Sequence, residues 1–147
     1  MNIPKKTLII LMADDDADDR LLAQDAMQES RVLNELHFVE DGVQLLSYLR
    51  GDNEFSDRTL YPMPGLILLD LNMPKMDGRE ALAEIKADHR LRRIPVVILT
   101  TSKAEEDMVK GYDLGAASYI AKPVTFDALV ELMRTLGKYW VEFVELP

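Results

Sequence analysis

Residues 65–78 read GLILLDLNMPKMDG, and the fold turns on them. Leu66-Ile67-Leu68-Leu69 is an unbroken apolar run that stops abruptly on Asp70, with Pro and Gly on either side. A short continuous run of this kind predicts a strand buried on both faces. Such strands belong to parallel sheets covered by helices, whose ligands bind where the carboxyl ends of the strands emerge. Asp70 therefore leaves the core where such a sheet does its chemistry. On this stretch alone, an acid that merely turns the chain or caps the next helix explains it equally well.

Two further runs repeat the pattern. Leu8-Ile9-Ile10-Leu11-Met12-Ala13 ends on three aspartates, and Ile94-Pro95-Val96-Val97-Ile98-Leu99 ends on Thr100-Thr101. Shorter strands are predicted at Leu36–Val39 and at Ala117–Ala121, the latter stopped by Lys122-Pro123. Helical spacing follows each strand. From Ala17 it places Leu21, Leu22 and Ala26 on one face, and Asp41 with Gln44 three residues on reads as a helix start. Leu82 and Ile85 mark a third helix, and Ser102 to Glu105 fits a capping box for a fourth. Thr125 caps a fifth, carrying Phe126, Leu129, Val130, Met133 and Leu136. Gly51 to Pro64 is polar and broken by proline, hence a long loop. Five strand–helix alternations predict right-handed βαβ units and an open, doubly wound parallel sheet of the α/β class.

The 147 residues are enough for one domain with a sizeable core. A formal net charge of −9 without a basic stripe argues against nucleic acid or an anionic membrane as partner. The absence of cysteine removes disulfides and thiolate metal sites. The first residues mimic a signal peptide only faintly, since the apolar run is short and leads into aspartates. No apolar stretch reaches the roughly 20 residues that span a bilayer. The expectation is a cytoplasmic protein.

In a doubly wound sheet, the residues just past the strand ends share one rim. Here they are Asp14, Asp15 and Asp16, then Asp70, Thr100 and Lys122. Two unit charges about 4 Å apart repel by about 4 kcal/mol at an effective dielectric of 20, so either some of the carboxylates are protonated or a cation binds. Carboxylate oxygens without His or Cys favour Mg²⁺ or Mn²⁺ over zinc. Asp14, Asp15 and Asp70 against Lys122 leave two negative charges, which one divalent ion offsets. A metal, a carboxylate, a lysine and a hydroxyl around one point suit phosphoryl transfer, with Asp70 as nucleophile. Asp16, Asp18 and Asp19 are assigned to the helix start, where anions are favoured. A calcium loop through Asp14, Asp16 and Asp18 fails, because Asp19 stands where Gly is required and Asp25 where Glu is required.

Taken together, these motifs resemble the receiver domain of two-component response regulators over nearly the whole chain, which implies a flavodoxin-like strand order of 2-1-3-4-5. The resemblance implies Asp70 as phosphoacceptor, Asp14 and Asp15 as the acidic metal pair, and a metal contact from the backbone carbonyl of Asn72. It further implies Thr100 as switch hydroxyl, Lys122 as phosphoryl-binding lysine, a cis peptide before Pro123, and Tyr119 as an aromatic gate. A histidine kinase or phosphotransfer protein would supply the phosphoryl group. The long Gly51–Pro64 link and the apolar tail look like the single-domain regulators that partner bacterial phytochrome-type kinases. Residues 1–137 would form the receiver and 138–147 a tail, with Tyr139, Trp140, Phe143 and Leu146 as candidates for a homodimer contact. The domain would be a phosphoacceptor signalling protein and not an enzyme in its own right. The competing class is a haloacid-dehalogenase-like phosphohydrolase, which also forms an aspartyl phosphate. It needs a further acidic pair late in the chain, which Asp113 alone does not supply.

Overall fold

The computed structural model describes residues 8–30, 34–71, 73, 75–101, 103–110 and 114–139. Strands β1 (Leu8–Ala13), β2 (Asn34–Val39), β3 (Leu66–Asp70), β4 (Val96–Thr100) and β5 (Ser118–Ala121) alternate with helices α1 (Ala17–Ser30), α2 (Gly42–Arg50), α3 (Gly78–Ala87), α4 (Lys103–Lys110) and α5 (Phe126–Tyr139). The strands form one parallel sheet in the order β2-β1-β3-β4-β5. This is the predicted doubly wound architecture.

The unbroken apolar runs are explained by the strand period of two, which sends alternate side chains to opposite faces. Leu11, Ala13, Ile67, Leu69, Val96 and Ile98 pack with Leu45, Leu82 and Ile85 of α2 and α3. Ile10, Met12, Leu66, Leu68, Val97 and Leu99 pack on the other side with Ala23 and Met27 of α1 and Val130, Met133 and Leu136 of α5. Each large side chain so buried contributes about 1.5–3 kcal/mol. Every central strand must therefore be apolar at all positions until it leaves the core, and Asp70 is where β3 does so.

One expectation needs correction. On α1 the buried stripe is Ala23, Ala26, Met27 and Ser30, while Leu21 and Leu22 are 62% and 46% exposed. Small residues let α1 lie close to the sheet, and that choice of face turns the two leucines outward. The link from Gly51 to Pro64 is the long loop expected, and it is pinned to the domain by side chains. Phe55, on a single 3-10 turn (Asn53–Phe55), packs its ring 5.2 Å from that of Tyr48 and edge-on to Tyr61 at 5.1 Å, and the two tyrosine rings meet at 5.8 Å. The Arg58 guanidinium donates to the carbonyls of Tyr48, Leu49 and Tyr61, closing the end of α2. Helix α5 continues through Gly137 to Tyr139.

The loop that follows Asp70 is fixed by two glycines. The Gly78 N–H donates to Leu71 O at 2.9 Å, and the Gly42 N–H donates to Met76 O at 3.0 Å. A Cβ at Gly42 would lie 2.3 Å from Met76 O, and one at Gly78 2.7 Å from Asp70 O. Only a residue without a side chain permits either approach. The Asp41 carboxylate caps α2 through the Gln44 N–H and pairs with Lys75 at 3.6 Å. The start of α2 is thus strapped to the loop between β3 and α3.

Candidate functional site

Asp14 follows β1 directly, its N–H bonded to Val39 O at 3.1 Å, and it is completely buried. One carboxylate oxygen, Oδ1, accepts the Asp16 N–H at 2.9 Å. The other, Oδ2, pairs with the Lys122 ammonium at 2.9 Å. Asp70 is buried at the end of β3, and its Oδ2 accepts from Lys122 Nζ at 3.2 Å. Asp15 is exposed on the rim. One oxygen from each of Asp14, Asp15 and Asp70 lies within 4.8 Å of the others, a spacing that suits one small, hard cation.

Lys122 reaches this cluster from the end of β5. Its N–H is anchored to Thr100 O at 2.7 Å, which aims the side chain along the rim. Its shortest side-chain contact is with Asp19 Oδ2, at 2.7 Å. Sequence reasoning missed this residue. Asp16 does cap α1, accepting the N–H groups of Asp18 and Asp19, as an acid at a helix start should. Asp19, however, also turns toward a lysine 103 residues away. The only hint in the sequence is an excess of acids, since residues 14–19 hold five aspartates where a metal pair needs two.

Burial drives the electrostatics. Loss of solvent pushes the Asp14 pKa above the ordinary carboxylate range, although the Asp16 N–H and Lys122 oppose it, and the charge of Asp70 adds to the rise. For Lys122 burial works against the ammonium. The contacts with Asp19 and Asp14 and the charge of Asp70 outweigh that cost and hold its pKa above the ordinary lysine range. Three carboxylates, those of Asp14, Asp19 and Asp70, face one ammonium, and Asp15 stands beside them on the rim, so acids outnumber the lone cation by three. The donor set fits a divalent cation: it holds only oxygens, and Asp14 Oδ2 has an open lone pair.

The remaining candidates are partly resolved. Thr100 is buried at the end of β4, and its hydroxyl makes one long hydrogen bond, 3.4 Å, to Ile120 O. Tyr119 is half-buried against the core on the α2–α3 side of the sheet. The Lys122–Pro123 peptide, expected cis, is trans, since no cis bond occurs among the described residues. Trans is the lower-energy isomer for a peptide before proline, and Lys122 reaches all three of its carboxylates in that form. Asn72 lies outside the described residues, as do Trp140, Phe143 and Leu146. Of Tyr139 only the backbone, at the end of α5, is described.

Comparison with known proteins identifies the family. The sequence profile of the response regulator receiver domain matches residues 10–134. Response regulator Rcp1 of Synechocystis sp. is 41% identical over 146 residues, which cover 99% of this chain and 95% of that protein. The phosphorylated cyanobacterial phytochrome response regulator RcpA has a solved structure that superposes with a TM-score of 0.81 at 40% identity, covering 97% of this chain and 99% of that one. The Mn²⁺-bound form of Rcp1 superposes with a TM-score of 0.77 at 39% identity, covering 95% and 99%.

Proposed function

The chain belongs to the response regulator receiver family, and we propose that Asp70 is its phosphoacceptor in phytochrome-type signalling. The observation that carries this reading is the meeting of Asp14, Asp15, Asp70 and Lys122 at one rim of the sheet. Nothing in the comparisons favours the phosphohydrolase.

Asp14, Asp15 and Asp70 hold Mg²⁺ or Mn²⁺, as Rcp1 holds Mn²⁺. The ion, when bound, neutralises charge on the phosphoryl oxygens and on the carboxylates that surround them. The residues of the chain do the rest. A carboxylate oxygen of Asp70 attacks the phosphorus of a phosphohistidine on the kinase. The phosphorus–nitrogen bond breaks as the new phosphorus–oxygen bond forms, and the imidazole keeps the electron pair and takes up a proton. Lys122, already within reach of Asp70, balances the negative charge that the equatorial oxygens bring. Burial of Asp70 keeps bulk water from the new acyl phosphate.

The phosphoryl group then biases a two-state element. Thr100 gives up its 3.4 Å bond to Ile120 O for a phosphoryl oxygen, and Tyr119 moves into the space released. Because Thr100, Ile120 and Lys122 are joined across β4 and β5, this repacks the α4–β5 surface. The partner is a histidine kinase of phytochrome type, by likeness to the RcpA regulator. We place the protein in the cytoplasm with such a kinase; no helix among the described residues is long and apolar enough to cross a membrane. Tyr139, Trp140, Phe143 and Leu146 are assigned to a homodimer contact, because a contiguous apolar patch, where exposed, marks an interface. Truncation after Tyr139 should lower the sedimenting mass, and an unchanged mass removes that contact.

The function is tested by incubation with acetyl phosphate, with and without Mg²⁺, followed by intact mass. One phosphoryl adduct is expected, dependent on the ion and absent in Asp70→Asn. Steady hydrolysis of unrelated phosphate esters would replace the receiver function with that of a phosphohydrolase.

A further inference from the structure

Arg20 lies on the first turn of α1 and reaches back to the acidic pair. Its Nη1 donates to Asp14 O at 2.8 Å, and its Nη2 pairs with the Glu40 carboxylate at 3.3 Å. Glu40 directly follows β2 as Asp14 follows β1, so one guanidinium clamps the two strand ends at the rim. The rigid, planar fork of arginine suits it to serve a carbonyl and a carboxylate at once. Its side chain is only 19% exposed, which shields the bond to Asp14 O from water. That oxygen belongs to the peptide joining Asp14 to Asp15, the two neighbouring carboxylates that meet Asp70. A peptide is planar, so a donor locked to its oxygen fixes ψ of Asp14 and φ of Asp15, and with them the directions in which both side chains leave the chain. The Asp16 N–H, bonded to Asp14 Oδ1 at 2.9 Å, closes the same turn from its other side.

We propose that Arg20 is a positioning residue for the divalent ion, holding the Asp14–Asp15 peptide so that both carboxylates converge with that of Asp70. The proposal deepens the metal reading of the site and rests on it. Arg20 is not a ligand, because a guanidinium has donors and no acceptor; it acts through the backbone of the two acids. The sign of its effect separates this role from charge alone. A guanidinium beside a cation site repels the ion, so by charge alone its removal strengthens binding. By positioning, its removal weakens binding. Groups that orient metal ligands from outside typically change metal affinity by about 10–100-fold when lost.

The test is Mn²⁺ binding, followed by the electron paramagnetic resonance signal of the free ion. Wild type is compared with Arg20→Met and Arg58→Ala at a temperature where circular dichroism shows all three folded. Methionine keeps most of the aliphatic stem of Arg20 and removes its donors. Arg58 controls for lost stability and for the loss of an arginine as such, since its bonds close the far end of α2. Arg20→Met should weaken Mn²⁺ roughly tenfold, and Arg58→Ala should stay within about twofold of wild type. Unchanged or tighter binding in Arg20→Met would reduce Arg20 to a repelling charge or to a bond that water replaces, and would overturn the proposal. So would an equal loss in Arg58→Ala, which would make the effect one of stability. Arg20→Ala serves as a second variant if the methionine does not fold. Failure of the wild type to bind Mn²⁺ would be a different result, striking the metal reading itself and this proposal with it.

Discussion

Gly78→Ala should damage phosphorylation without touching any reacting group. The new Cβ would sit 2.7 Å from Asp70 O, 2.8 Å from Leu71 Cα and 3.1 Å from Leu71 Cδ2, whereas ordinary contact begins at 3.4 Å. The difference between 3.4 and 2.7 Å means that the Asp70 backbone and the start of α3 must separate by about 0.7 Å. Both partners are constrained, Asp70 by its pairing in the sheet and Gly78 by its bond to Leu71 O. Overpacking of this size costs about 1–3 kcal/mol, which lowers the melting temperature by about 3–10 °C in a domain of this length. Functional side chains tolerate about 0.5 Å of displacement, and about 1 Å can cost a hundredfold in rate. The phosphorylation rate should therefore fall by about 10–100-fold. The assay is the initial rate of adduct formation from acetyl phosphate with Mg²⁺, by intact mass, at a temperature where circular dichroism shows the variant folded. Gly115→Ala is the control, since a left-handed glycine (φ +81) beside the Lys86 side chain should lose stability and keep its rate. A Gly78→Ala rate within about twofold of wild type would refute the reasoning.

Arg58→Ala should cost about 2–3 kcal/mol in urea denaturation, because it strips a charged donor from three carbonyls at the end of α2. A loss below about 1 kcal/mol would mean that water replaces the guanidinium. Tyr48 supplies a pH dependence. Burial pushes its pKa from 10.0 to about 12, and its hydroxyl donates to Pro62 O at 2.9 Å. Between those values the unfolded chain has lost the proton and the folded chain keeps it. Stability therefore falls as pH rises through this window, by up to about 2–3 kcal/mol. Tyr48→Phe should flatten that slope while costing about 1 kcal/mol at neutral pH for the lost hydrogen bond. An unchanged alkaline slope in the variant would assign the effect to other groups.

Fold and site were legible to different depths, for physical reasons. The central strands could be read because burial on both faces leaves no polar position until the strand ends, which is why Asp70 stood out. The topology then brought Asp14, Asp70, Thr100 and Lys122 to one rim, as the alternation of strands and helices requires. Asp19 escaped because an acid in a first helical turn is already explained by the helix. Its second partner becomes visible only once β5 delivers Lys122 opposite α1. The buried face of α1 was misread because leucine outweighs alanine in any apolar count, whereas close packing on the sheet prefers the smaller residue. In the Gly51–Pro64 link, a polar composition concealed Phe55, Arg58 and Tyr61, whose contacts run to Tyr48 and not along the chain.

The central claim is that Asp70, and no other carboxylate of the cluster, carries the phosphoryl group. Borohydride reduces an acyl phosphate to an alcohol, so trapping the phosphorylated protein converts its aspartyl phosphate to homoserine, which peptide mass spectrometry locates. Homoserine is expected at position 70 alone, formed only when Mg²⁺ accompanied the phosphodonor. Homoserine at 14, 15 or 19, or an adduct on a hydroxyl that borohydride leaves intact, would contradict it.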